Sequence, residues 1–106
     1  MIFVTGSSGF IGSNFILNYL KKYEEKILGI DCLTYASNTP LLKNLKKEKR
    51  FIFKKLNISD YISIKKLFEE YKPTRIINFA AESHVDKSIL GPDIFIQTNI
   101  LGTFNL

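Results

Sequence analysis

A chain of 106 residues with a hydrophobic fraction of 45% falls in the range of one domain and can furnish a core. No apolar run approaches the roughly 20 residues that cross a bilayer, and the single cysteine, Cys32, rules out an internal disulfide and fits a reducing cytoplasm. The net charge of +5 raises nucleic acid as a partner, but residues 41–55 hold seven basic side chains against Glu48 alone; that excess lacks an aromatic-interleaved platform and reads as a solvated face.

Met1 leads directly into an apolar run, MIFVT, which predicts a strand over 1–5 and leaves no room for a signal peptide. The run is cut off by TGSSGFIGS, in which Gly6, Gly9 and Gly12 form G-x-x-G-x-x-G. Glycines at this spacing allow a tight turn out of a strand, approach of the backbone to a pyrophosphate, and close packing of the next helix on the sheet. The helix N-terminus then aims free N–H groups at phosphate oxygens. A glycine-rich turn alone is common, so the surroundings decide.

The surroundings agree. Ile16, Tyr19, Leu20 and Tyr23 recur at helical spacing and predict a helix over 10–23, with Gly12 one turn upstream on the same face. A second strand, 26–31, ends in Asp31, nineteen residues after Gly12, where an acid can accept both ribose hydroxyls of an adenosine. The alternatives are an ordinary strand-to-helix turn and an acid that merely caps a loop. Cys32 reads either as a reactive thiol or as a small residue beside a binding acid, and it has no His or CxxC partner nearby in sequence.

Further along, the pattern predicts a short helix over 41–49 and a strand over 50–55. A helix over 61–71 follows, N-capped by Asp60, carrying Ile64, Leu67, Phe68 and Tyr71, and ended by Pro73. A strand over 75–79 opens into a polar loop at Ala80, and Gly91-Pro92-Asp93 starts a last helix with Phe95, Ile96, Ile100 and Phe104 as its apolar residues. Alternation of this kind predicts an α/β, Rossmann-like doubly wound parallel sheet with strand order 3-2-1-4. A complete fold of this type has two mononucleotide-binding halves, so 106 residues suggest the N-terminal half. Ligands in such sheets lie beyond the carboxyl ends of the strands, which singles out residues 6–12, 31–38, 57–58 and 80–86. In the last of these His84 could shuttle protons or orient a ligand, and Glu82 with Asp86 could form an acid pair or serve the loop. No spacing suggests a metal site.

TGSSGFIGSNF, DCLTYASN, FAAESHVDKSI and GPDIFIQTNILGT together resemble the N-terminal part of the dTDP-glucose 4,6-dehydratases, extended short-chain dehydrogenase/reductases, over essentially all 106 residues. The resemblance implies an NAD-binding portion. It assigns cofactor contacts to Gly6, Gly9, Phe10, Ile11, Gly12, Asp31, Cys32, Leu33, Thr34, Asn57, Ile58, Phe79, Ala80, Ala81, Glu82, Ser83 and Thr98, with Ser83 also touching the sugar nucleotide. Asn57 departs from the family's usual Asp, although its amide carbonyl could still meet adenine N6. The implied reaction takes hydride from C4 of the glucose, loses the C5 proton and the C6 hydroxyl as water, and returns hydride to C6. In the family the Tyr-x-x-x-Lys pair and the Thr-Asp-Glu set lie farther along than the position of Leu106, so the resemblance assigns no catalytic residue within these 106 residues. The resemblance further implies dTDP-glucose as substrate, a homo-oligomer, and neither nucleic acid nor membrane as partner. A non-catalytic dinucleotide-binding module and another NAD-dependent sugar-nucleotide epimerase or dehydratase are the alternatives.

Overall fold

Alternation of side chains across a strand puts Ile2 and Val4 on one face of the sheet and Phe3 on the other, and both faces are covered. The computed structural model, which describes residues 1–106, builds that sheet from β1 (Ile2–Thr5), β2 (Ile27–Asp31), β3 (Phe51–Lys55) and β4 (Arg75–Asn78), all parallel, in the order β3-β2-β1-β4. The order predicted from the sequence is therefore observed. Ile2 pairs with Ile27 on one side and with Arg75 on the other, so β1 is central and wholly buried. This explains its uninterrupted apolar run.

On one face α1 (Phe10–Lys22) and α2 (Thr39–Leu45) bury Ile16, Leu20, Leu42 and Leu45 against Ile2, Val4, Ile27 and Phe51. On the other, α3 (Tyr61–Tyr71) buries Ile64 and Leu67 against Phe3, Leu28 and Ile30, with Phe68 edge-on to Phe3 at 5.3 Å between ring centres. Each fully buried side chain of this kind contributes roughly 1.5–3 kcal/mol. The predicted cap holds: Asp60 accepts from Ser63 N at 3.2 Å and from Ser63 Oγ at 2.7 Å, which keeps its carboxyl below the usual range. Lys72 closes the helix in the left-handed region at φ 45°, just before Pro73.

Several expectations need correction. Tyr23 is not part of the buried stripe: α1 ends at Lys22, and Tyr23 stacks on Tyr19 while more than half exposed. The short helix is Thr39–Leu45 rather than 41–49, because Asn38 caps it through Leu41 N, and it is not merely solvated since Leu42 and Leu45 enter the core. Arg50 likewise leaves the basic surface. Its guanidinium donates to the carbonyls of Leu20 at 3.0 Å and Tyr23 at 2.8 Å, finishing the C-terminus of α1, and it holds the Glu48 carboxyl below its ordinary range. The polar loop after β4 contains a helix the pattern does not predict, α4 (Val85–Leu90), which buries none of its residues. The last helix begins as α5 (Pro92–Phe95), widens into a π-helical segment (Ile96–Gly102) and ends as α6 (Thr103–Asn105). Only Gly102 is buried along it, against Ile58, and Ile96, Ile100 and Phe104 face outward.

Ser7 and Ser8 sit in the glycine turn with buried hydroxyls that have no hydrogen-bond partner, and Ser7 Oγ lies against the backbone of Gly29. An orphaned buried hydroxyl is destabilising by about 1 kcal/mol or more. Ser7→Ala is therefore expected to stabilise the chain by about 1 kcal/mol, seen as a higher urea midpoint at unchanged slope. A lower midpoint would show that the hydroxyl is satisfied.

Candidate functional site

The chain leaves β1 at Thr5 and turns through Gly6 at φ +61°, where a Cβ would lie 2.6 Å from the Phe79 carbonyl carbon. Gly6 is thus required both by the turn and by the passage of the β4 loop directly over it. Gly12 is required for another reason. A Cβ there would lie 2.1 Å from the Gly6 carbonyl oxygen, so this glycine sets how closely α1 approaches the turn. Gly9 is the N-cap of α1 and offers no side-chain cap. The N–H groups of Phe10, Ile11 and Gly12 accordingly find no acceptor in the chain, and no acid stands in the first turn. They form a free positive helix end at the mouth of the sheet.

Asp31 lies at the end of β2, one strand over. One of its carboxylate oxygens accepts from Ser8 N and the other from Leu33 N, both at 2.8 Å. These bonds fix the carboxylate while leaving lone pairs on each oxygen for hydroxyl donors. Leu33 takes the left-handed conformation, φ 59°, and turns residues 32–38 back until Asn38 N reaches Ser8 O at 2.6 Å. That return brings Tyr35, Ala36 and Ser37 to the cleft.

The opposite bank is the loop after β4. Thr5 Oγ1 hydrogen-bonds Asn78 and accepts from Ala80 N, anchoring the loop's start. Asn99 holds its middle: its Oδ1 accepts from Glu82 N at 2.8 Å and its Nδ2 donates to Glu82 O at 2.9 Å, the pair of bonds a neighbouring strand would make. The π-helical segment turns Asn99 to this loop and its neighbour Thr98 to the cleft, a placement for which such local widening is often found at functional sites. Lys87 on α4 reaches across and sets its ammonium 3.5 Å from the centre of the Tyr35 ring.

Between these banks lies a cleft of about 240 Å³. It collects thirteen of the predicted residues: Gly6, Gly9, Asp31, Cys32, Thr34, Asn57, Ile58, Phe79, Ala80, Ala81, Glu82, Ser83 and Thr98. Phe10, Ile11, Gly12 and Leu33 are not among its walls. The first two side chains are exposed on α1, so only their N–H groups can serve a ligand there; Gly12 is buried under Gly6, and Leu33 makes the turn. Ile58 contributes chiefly from below, being buried in the core. Tyr35, Ala36 and Ser37, within the 31–38 segment marked by its place after a strand, also line the cleft, while Ile30, Leu56 and Ile94 line it without having been singled out by sequence.

The other polar candidates divide. Burial, and then the charge of Asp31, push the Cys32 thiol up, which lowers its thiolate fraction and disfavours the reactive-thiol reading. His84 is the N-cap residue of α4 and makes no side-chain cap bond, while Asp86 stands in that helix's first turn, where its charge complements the dipole. Asn57 Oδ1, expected to face an adenine amino group, instead accepts from Ser59 N at 3.0 Å and Ser59 Oγ at 2.9 Å. No three His, Cys, Asp or Glu side chains converge, and no helix is long and apolar enough to cross a membrane.

Comparison with known proteins bears on the same features. The model of the GDP-mannose 4,6 dehydratase family matches residues 3–106. A dTDP-glucose 4,6-dehydratase of Haemophilus influenzae is 45% identical over 105 residues, which is 99% of this chain and 31% of that protein. DesIV, a dTDP-glucose 4,6-dehydratase from Streptomyces venezuelae solved with NAD bound, superposes with a TM-score of 0.87 at 35% identity, over 99% of this chain and 34% of that one. The UDP-Glc/GlcNAc 4-epimerase of Campylobacter jejuni superposes with a TM-score of 0.88 at 31% identity, over 98% of this chain and 31% of that one. The chain spans about a third of the length of the curated relatives it matches.

Proposed function

The chain belongs to the GDP-mannose 4,6 dehydratase family, and from that premise we propose that residues 1–106 are the NAD-binding portion of a sugar-nucleotide 4,6-dehydratase acting on dTDP-glucose. The observation that carries the reading is Asp31, held by Ser8 N and Leu33 N beside the unpaired N–H groups of α1. A diphosphate at the helix end and a ribose diol at the carboxylate are the two halves of one ligand. The fit is further supported by the open approach over Gly9 and by the apolar floor of Ile30, Leu56 and Ile58, suited to a flat base.

Bound NAD would supply the reversible hydride transfer of the dehydration. The chain's own residues bind and orient. The N–H groups of α1 hold the pyrophosphate, Asp31 the ribose, and the 79–83 loop, kept in place by Asn99, the far end of the dinucleotide. Ser83 is the one position given to the sugar nucleotide. Proton transfer is assigned to groups outside these residues, in a homo-oligomeric enzyme. dTDP-glucose rests on relatives such as the Haemophilus influenzae protein; the superposed epimerase shows that the same scaffold serves a different sugar chemistry.

The carboxylate decides between cofactors. Asp31 would repel a 2′-phosphate, and neighbouring Cys32 and Leu33 bring no cation. Calorimetric titration is expected to show NAD bound about tenfold or more tightly than NADP, with Asp31→Ala losing about tenfold in NAD affinity and most of the discrimination. Equal binding of the two cofactors, or an unchanged NAD affinity in Asp31→Ala, would refute the proposal.

A further inference from the structure

Asn57 stands at the cleft wall beyond β3, and its own hydrogen bonds bear on which base the cleft accepts. Along the carboxyl edge of the sheet the free helix end lies at β1, Asp31 at β2, and Asn57 just beyond β3. A ligand with phosphate and ribose at the first two places puts its base at the third. The inference therefore rests on the dinucleotide reading.

A carbonyl oxygen has two lone pairs. Both of those on Asn57 Oδ1 are taken by Ser59, one by its backbone N–H and one by its hydroxyl. The backbone N–H can only donate, so the amide is fixed with its oxygen toward Ser59 and cannot turn over without losing that bond. What Asn57 leaves for a ligand is Nδ2, a donor without an acceptor. The side chain is accessible at the cleft wall.

Adenine presents an amino donor at C6 beside an acceptor at N1; hypoxanthine presents an oxygen acceptor at C6 beside an N1–H donor. A donor at Asn57 finds one acceptor on either base. A site that demanded the 6-amino group would need a free acceptor there, and Asn57 has none. We propose that Asn57 makes the base site tolerant, so that the chain binds nicotinamide hypoxanthine dinucleotide nearly as well as NAD.

Titration of the 106-residue chain with the two dinucleotides is the test. The expected dissociation constants agree within about threefold, and Asn57→Asp is expected to shift the ratio about tenfold in favour of NAD. That substitution keeps the shape and the Ser59 bonds and exchanges the free donor for an acceptor. Tight NAD binding with a tenfold or greater preference over the hypoxanthine analogue in the unaltered chain would overturn this inference and leave the dinucleotide reading standing. So would a ratio that Asn57→Asp does not move. Failure of a folded chain, checked by circular dichroism, to bind either dinucleotide would overturn both.

Discussion

Gly12→Ala is expected to cost about 3 kcal/mol or more, enough to leave much of the chain unfolded at ambient temperature. The reason is which atom stands in the way. A Cβ at position 12 would fall 2.1 Å from the Gly6 carbonyl oxygen and 2.9 Å from its carbon, both backbone atoms of a turn pinned at φ +61°. A side chain could rotate aside, but this turn is held by the Phe79–Ala80 backbone against Gly6 and by Gly9 N on Gly6 O. Relief therefore requires α1 to move off the sheet, exposing Ile16 and Leu20. The same helix that carries the free N–H groups would move, so dinucleotide affinity should fall with stability. Two other glycines grade the argument. At Gly9 the nearest atom to an added Cβ is 3.3 Å away, and at Gly91 it is 3.7 Å away. Gly9→Ala should fall between, and Gly91→Ala within about 0.5 kcal/mol of the original chain. Urea unfolding of the three variants measures the order; a Gly12→Ala loss no larger than that of Gly91→Ala would show that α1 is not locked by this contact.

The same contacts explain what can be read without coordinates. A wholly buried parallel strand must be apolar along its length, so IFVT at 2–5 and the run at 27–30 are legible, the edge strand at 51–55 shows a shorter apolar run before its lysines, and parallel crossovers leave few ways to order them. Gly6 and Gly12 are legible because their places in the turn forbid a side chain. The segment 31–38 is marked by its place after a strand, but its path is not legible. Tyr35, Ala36 and Ser37 reach the cleft through the left-handed turn at Leu33 and the bond from Asn38 to Ser8, thirty residues away in sequence, and no periodicity encodes either. Arg50 reads as surface charge because its acceptors, the carbonyls at the end of α1, come from a different element. Helix α4 escapes notice because it buries nothing, so Val85, Ile89 and Leu90 leave no amphipathic signature to find. Asn99 carries the one available signal, an amide inside an apolar helical stretch, where it most often bonds to backbone.

Self-association of the chain is the second large effect expected, and the two edges of the sheet differ in a way that locates it. The β3 edge is dressed with lysines: Lys54 lies over the Tyr71 ring, Lys55 is exposed, and Lys46 covers Phe53. Charges of this kind discourage edge pairing. The β4 edge has Arg75 at its start and then Ile76 and Ile77, and the helical residues that follow it in the chain include Ile89, Leu90, Ile100 and Phe104, each at least 65% exposed. Apolar exposure on this scale beside unpaired strand N–H and C=O groups favours contact with another copy. Ile100→Glu and Phe104→Glu discriminate, because both side chains already face solvent and their replacement should alter stability by no more than about 0.5 kcal/mol. Burial of one such side chain stabilises a contact by roughly 1.5–3 kcal/mol, so each substitution should weaken association about tenfold or more. Tyr23→Ser, on the α1 side of the sheet, should leave it unchanged. Light scattering over a concentration series reads all four proteins. A monomer at high concentration, or association that Ile100→Glu and Phe104→Glu do not weaken, would show that the exposed apolar side chains beside β4 do not drive contact between copies.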